Sequence, residues 1–137
     1  MRRRVGVYLT RQTPGGLELL VFDCPQGCGL EPPGGGIDGD ETPAQAAVRE
    51  VAEETGIAGV RVVRELGEHP GLTDAGGPQL TIWVHAELVG EAPQAWEHVV
   101  AGSGDDAGVV HRLSWVGLPL DVQIAAGHDA LLQALLA

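Results

Sequence analysis

Glu50, Glu53 and Glu54 stand at i, i+3 and i+4 near the end of the stretch GGIDGDETPAQAAVREVAEETGI, residues 35–57. On a helix that spacing makes them neighbours in space. The position is unfavourable for them. Helix carbonyls leave the C-terminal end partly negative, so a carboxylate there is disfavoured by about 0.3–1 kcal/mol, and like charges at these spacings lose a few tenths more. Arg49 reaches Glu53 at i+4 and offsets one of the three charges. A hard divalent cation would answer the remainder, because Mg²⁺ takes oxygen ligands and commonly arrives with a substrate phosphate and several waters. The other reading is a solvated acidic helix face, and spacing alone does not choose between the two.

The elements that must position these carboxylates are legible around them. Thr42 is a good N-cap, Pro43 fits the first helical position, Gln45 completes a capping box, and Gly56 supplies the stop, which predicts a helix over 43–55. At 100° per residue, Ala44, Val48, Val51, Ala52 and Thr55 share one side that would pack on a sheet, with the glutamates opposite. Alternation and β-branched content predict strands at 4–10, 17–23, 60–66, 79–89 and 110–116, a hairpin turn at 13–16 and a second helix over 125–136. Residues 90–108 read as a polar, Gly-rich excursion, and loops of that length are often functional. Strands before and after one central helix, with a closing helix, indicate a mixed α/β sandwich rather than a regular βαβ series. The 137 residues suit one domain, 1–137.

Charge narrows the function classes. The chain carries 19 acidic and 8 basic residues, all of the latter Arg, for a net charge of -11. Such a surface repels polyanions, which argues against binding along nucleic acid or an anionic membrane; a small anionic ligand would need metal or Arg help. The opening MRRR runs into the strand-like VGVYLT without an apolar signal core, and no apolar run approaches the ~20 residues that span a bilayer, so the expected location is cytoplasmic. Cys24 and Cys28 cannot complete a four-ligand zinc site alone and read as reduced thiols in a loop. His69, His85, His111 and His128 show no shared ligand spacing and read as structural, as do Trp83 and Trp115 within apolar strands. Trp96, beside His98, would either pack or stack on a base, a contact that contributes about 1–3 kcal/mol. Arg2, Arg3 and Arg4 read as a solvated strand start within reach of a phosphate.

Residues 35–57 resemble the signature of the Nudix hydrolases, G-x5-E-x7-R-E-U-x-E-E-x-G-U, where U is a bulky aliphatic residue. Gly35 is followed by five residues and Glu41, then by seven residues and Arg49-Glu50-Val51, then by Ala52, Glu53-Glu54, Thr55 and Gly56-Ile57, so every specified position matches. The resemblance implies an α/β/α sandwich with a mixed sheet. It also implies hydrolysis of a nucleoside diphosphate linked to another group, by water attack at phosphorus with Mg²⁺ or Mn²⁺. Glu50, Glu53 and Glu54 would be metal ligands together with the backbone carbonyl of Gly34. Glu41 would support the site, and Arg49 would hold the glutamate geometry through charge-assisted hydrogen bonds. The proton of the attacking water would go to one of these glutamates or to a later loop carboxylate, with Glu97, Asp105 and Asp106 as the choices. Trp96, Asp105 and Asp106 are the expected substrate contacts.

Substrate subclass lies outside the signature. Thr73 and Asp74 stand where some Nudix branches carry a diagnostic Pro or Tyr, and Gly36 stands where another often carries Lys. A nucleotide-binding sensor that kept the fold without catalysis is the alternative implied by the resemblance. An isomerase acting on a diphosphate lipid precursor is a third, and the Gly-Pro loop around Cys24 and Cys28 lends it no support. A homodimer would be the commonest symmetric assembly.

Overall fold

The computed structural model of the chain describes residues 1–23, 27, 29–102, 104 and 107–136. Its organising element is strand β1 (Arg2–Thr13), buried without a break from Val5 to Thr10 because both of its faces are covered. Strand geometry sends alternate side chains to opposite faces. Val5, Val7 and Leu9 pack on one side with Leu20, Val84 and Trp115, while Tyr8 packs on the other with Leu19, Trp83 and Leu132. At Gly6 a side chain is excluded, since a Cβ there would overlap the Trp83 ring.

The turn expected at 13–16 is present, with Thr13 paired to Gly16, and returns the chain as β2 (Gly16–Asp23), antiparallel to β1. Two short strands follow in the glycine-rich loop, β3 (Leu30–Glu31) on β2 and β4 (Gly34–Gly36) on β1. After helix α1 (Pro43–Thr55) come β5 (Val60–Leu72), β6 (Pro78–Leu88), β7 (Ala95–Val99), β8 (Val110–Gly117) and a short helix α2 (Leu132–Leu136). The sheet runs β5-β6-β1-β2-β8-β7, with β1 and β6 parallel and the other neighbours antiparallel. With α1 on one face and the C-terminal segment on the other, this is the expected α/β/α sandwich with a mixed sheet. None of the described helices is long and apolar enough to cross a membrane.

Helix α1 has the bounds its caps predict. Thr42 Oγ1 accepts the Gln45 N–H at 3.1 Å, Gln45 Oε1 accepts the Thr42 N–H at 2.9 Å, and Gly56 closes the helix at φ 80°. Its orientation differs from the expectation. The buried residues are Ala46, Ala47, Glu50, Val51, Glu54 and Thr55, while Val48 is exposed. The helix is turned so that two glutamates face inward against β4, and the small Ala46 and Ala47 let it lie close to the sheet.

Three other differences have physical reasons. β5 continues to Leu72 through His69-Pro70-Gly71, because it is an edge strand and Pro is tolerated where one side of the strand lacks a partner. The excursion contains β7, held by pairing with β8 from Ala95↔Ser114 to Val99↔Val110. The C-terminal helix is shorter than 125–136. The chain after Gly117 instead forms turns, with Ala125 N–H donating to Leu30 O at 2.8 Å and His128 N–H to Ala125 O at 3.0 Å.

Candidate active site

Arg49 is the hub of the acidic cluster. Its Nε and Nη2 donate to Glu41 Oε2 and Oε1 at 2.7 and 2.8 Å, a bidentate pair. Nη1 donates to Glu50 Oε1 at 2.8 Å and Glu53 Oε2 at 3.3 Å, and Nη2 also reaches the Gly36 carbonyl at 2.8 Å. The planar fork of guanidinium N–H groups suits this shared duty. The bonds to Glu41, then to Glu50, push the Arg49 pKa further up against the effect of its burial. In return Arg49, followed by the Asp38 N–H, holds the Glu41 carboxyl down at about 2. Arg49 thus serves three glutamates at once, where spacing suggested relief for one.

Glycines let the carboxylates approach backbone. A Cβ on Gly35 would overlap the Glu50 carboxylate, and one on Gly102 would lie 2.8 Å from the Glu53 carboxyl carbon. Between them, the Gly34 N–H donates to Glu54 Oε1 at 2.7 Å. Glu50 and Glu54 are buried at 8% and 3% exposure, which leaves Glu53 the most accessible of the three.

The C-terminal carbonyls of α1, ordinarily left without helical partners, are met by donors from outside. Gly56 N–H serves Ala52 O at 3.0 Å; Ala101 N–H and His98 Nε2 both serve Glu53 O at 2.9 Å. His111 Nδ1 serves Glu54 O at 3.3 Å and Trp96 Nε1 serves Thr55 O at 2.9 Å. Carbonyls only accept, so each of these imidazole nitrogens carries its proton. The His111 ring is fixed by stacking on Phe22, centroids 3.9 Å apart. The β7–β8 hairpin therefore offsets the negative helix end where the glutamates gather.

The glutamates, Arg49 and the glycine strand β4 open on a cavity of about 940 Å³. Glu50, Glu53, Glu54 and Arg49 form one part of its wall, and Arg2 and Arg4 another. Arg4 is half-buried, and burial followed by the neighbouring Arg2 charge lowers its pKa, while Glu54, Glu31 and Glu50 act in the opposite sense. Arg4 is thus not the solvated strand start expected of it. Among the described residues no three His, Cys, Asp or Glu side chains are grouped as a metal site, and Glu50 and Glu53 each turn an oxygen to Arg49. The donor chemistry nevertheless suits a hard cation, since three carboxylates and adjacent glycine backbone are oxygen ligands in a glycine-cleared cradle.

A family model described as the NUDIX domain matches residues 1–119. The chain belongs to the Nudix family. Solved structures of the same fold include the Ap4A hydrolase of C. elegans, at 24% identity and TM-score 0.68, covering 98% of this chain and 96% of that one. The NUDIX domain of Shewanella oneidensis NrtR, complexed with ADP ribose, shares 22% identity at TM-score 0.72, covering 98% and 86%. RenU, a Nudix hydrolase from M. smegmatis, shares 23% identity at TM-score 0.70, covering 98% and 83%. The family match supports an enzyme acting on phosphorus-containing anhydrides.

Within the Nudix fold the structure brings Gly34, Glu41, Arg49, Glu50, Glu53 and Glu54 together and leaves other expected residues elsewhere. Trp96 is no part of the cavity wall; its N–H is committed to Thr55 O and its ring packs on the α1 side of the core. Glu97 is exposed on the edge strand β7 beside Arg112, 3.5 Å away. Asp105, Asp106, Cys24 and Cys28 lie outside the described residues. Sequence alone gave no role at this site to His98 or His111 and left Arg4 in a solvated strand start. Strand phase held a signal for Arg4, which shares the face of Gly6 and Tyr8; the two histidines act across the fold on a helix distant in sequence.

Proposed function

We propose that this Nudix protein is a divalent-metal-dependent pyrophosphohydrolase that splits a nucleoside diphosphate from a group linked to it. The observation that carries the reading is the convergence of Glu50, Glu53 and Glu54 on one cavity, with Arg49 and Glu41 fixing their positions. Glu50, Glu53, Glu54 and the Gly34 carbonyl would hold Mg²⁺ or Mn²⁺, which when bound neutralises phosphate charge and activates phosphorus toward water. Arg2 and Arg4 orient the diphosphate through charge-assisted hydrogen bonds in the same cavity. A carboxylate of the set accepts the proton of the attacking water as a phosphate oxygen leaves. The ADP ribose complex of the NrtR domain supports nucleotide derivatives as the ligand class.

A sensor reading is favoured by one observation, the NrtR likeness, since NrtR is also known complexed with a 27mer DNA. The intact set Glu41, Arg49, Glu50, Glu53 and Glu54 favours catalysis over it. A phosphate-release screen over nucleoside triphosphates, nucleotide sugars, ADP-ribose, dinucleoside polyphosphates and coenzyme A tests the choice. Turnover that stops on chelation of divalent metal is expected; binding of these compounds without cleavage would instead establish the sensor.

A further inference from the structure

Strand β4 is made of glycine alone, and it separates two charged groups. On one side a Cβ at Gly35 would overlap the Glu50 carboxylate; on the other, a Cβ at Gly34 would lie 3.0 Å from Arg4 Nη2 and one at Gly36 3.6 Å from Arg2 Nη2. Alternation along the strand makes this a division by face, with a carboxylate behind β4 and two guanidinium groups in front, all in the wall of one cavity. Among the described residues, side-chain bonds engage Arg11, Arg49, Arg61, Arg64 and Arg112, and Arg2, Arg3 and Arg4 make none. Arg2 and Arg4 nevertheless stand close enough to oppose one another: burial, then the Arg2 charge, lowers the Arg4 pKa against the pull of Glu54, Glu31 and Glu50. In a chain of net charge -11, two guanidinium groups held together at a cavity wall mark a place for an anion.

The strand register carries this wall outward from the arginines. Gly36 on β4 is paired to Arg4 on β1, Arg4 to Thr81 on β6, and Thr81 to His69 on β5. Paired residues on neighbouring strands share a face, and Arg4, Thr81 and His69 all line the cavity. At about 4.8 Å between strands, the row from β4 to β5 measures about 14 Å. A diphosphate held near the glutamates covers only its inner part. Every side chain along the row can donate a hydrogen bond: the guanidinium N–H groups, the Thr81 hydroxyl, and an N–H of the His69 ring in either tautomer. Asp74, further out on the β5–β6 hairpin, is a carboxylate of the same wall and bounds the row.

We propose that Arg2, Arg4, Thr81 and His69 form a phosphate-chain subsite, and that the substrate carries at least three phosphates in line, the outermost over Thr81 and His69. The inference rests on the pyrophosphohydrolase reading of the glutamate end of the cavity and sets the length of the anion accepted there. A neutral sugar or base over Thr81 and His69 is the competing occupant, and it would give no preference for a longer phosphate chain.

Calorimetric titration in EDTA at fixed ionic strength, with inorganic pyrophosphate and tripolyphosphate as probes, reads the subsite without metal or turnover. Tripolyphosphate is expected to bind about tenfold tighter, the effect of about one hydrogen bond to a charged group. His69 is exposed, so His69→Ala should fold normally; it is expected to bring tripolyphosphate down to the pyrophosphate level and leave pyrophosphate unchanged. Arg2→Gln should weaken both probes about tenfold. Arg3→Gln removes the same charge from the opposite face of β1 and should change neither. Equal binding of the two probes by the native protein, a ratio kept in His69→Ala, or a loss in Arg3→Gln that matches Arg2→Gln overturns the proposal. Selectivity for tripolyphosphate in a protein that cleaves no compound of the phosphate-release screen supports the subsite and overturns the hydrolase reading; turnover by a protein indifferent to chain length does the reverse.

Discussion

At the scale of single residues, the puzzle of three carboxylates at a helix end finds much of its answer in one side chain. Arg49 makes bonds to Glu41, Glu50, Glu53 and the Gly36 carbonyl, a set that only a planar fork of donors satisfies together. A lysine has the charge and lacks the fork. Arg49→Lys is therefore expected to destabilise the fold by about 1.5–3 kcal/mol, the scale of hydrogen bonds to charged groups, and to lower turnover at least tenfold as the glutamates lose register. Urea unfolding and steady-state kinetics check both; a variant matching the native protein in stability and rate would show that charge alone suffices. The signature spacing makes Arg49 and its glutamates legible in the sequence. Arg49's simultaneous grip on Glu41 and Glu50 is not legible there, because it depends on how the glycine loop folds back over the helix.

At the scale of elements, helix α1 and the β7–β8 hairpin work as a unit. The helix bounds can be read from Thr42, Pro43, Gln45 and Gly56 because caps are local chemistry. Which side of the helix is buried cannot be read that way, since Glu50 and Glu54 are acceptable inside only with Arg49, the Gly34 N–H and β4 beside them. β7 is hidden for a similar reason: the short sequence AWEHV, lying between Pro93 and Gly102, becomes a strand through its pairing with β8. Its working residues face α1. His98→Leu removes a donor to Glu53 O and is expected to cost about 0.5–1.5 kcal/mol and to weaken Mn²⁺ binding several-fold by loosening the helix end. His98→Gln, which restores an N–H at a similar reach, should recover both. Thermal unfolding with Mn²⁺ titration by electron paramagnetic resonance makes the comparison; equal loss in both variants would assign His98 to packing instead.

At the scale of the whole molecule, stability should carry the signature of two partly buried histidines. Burial is the main cause that lowers the pKa of both His85 and His128 from the ordinary 6.5. Below pH 6.5 the unfolded chain takes up protons that the folded chain refuses, so stability falls as pH drops. Glu41, held at about 2, adds a second loss between its ordinary 4.5 and that value, where the unfolded carboxyl protonates first. The urea midpoint should decline from pH 7.5 to 5.5, and less steeply in His85→Gln, which has nothing to titrate there; identical slopes would remove His85 from the explanation. The central claim, that the acidic end of α1 is a metal-dependent phosphohydrolase site, is tested most directly by phosphate release from native protein and Glu53→Gln side by side in saturating Mg²⁺. Glu53 is the most accessible of the three carboxylates, so the variant should keep its unfolding midpoint while turnover falls on the order of a hundredfold. Turnover within a few-fold of the native rate in a folded variant would contradict the assignment and place the chemistry elsewhere in the cavity.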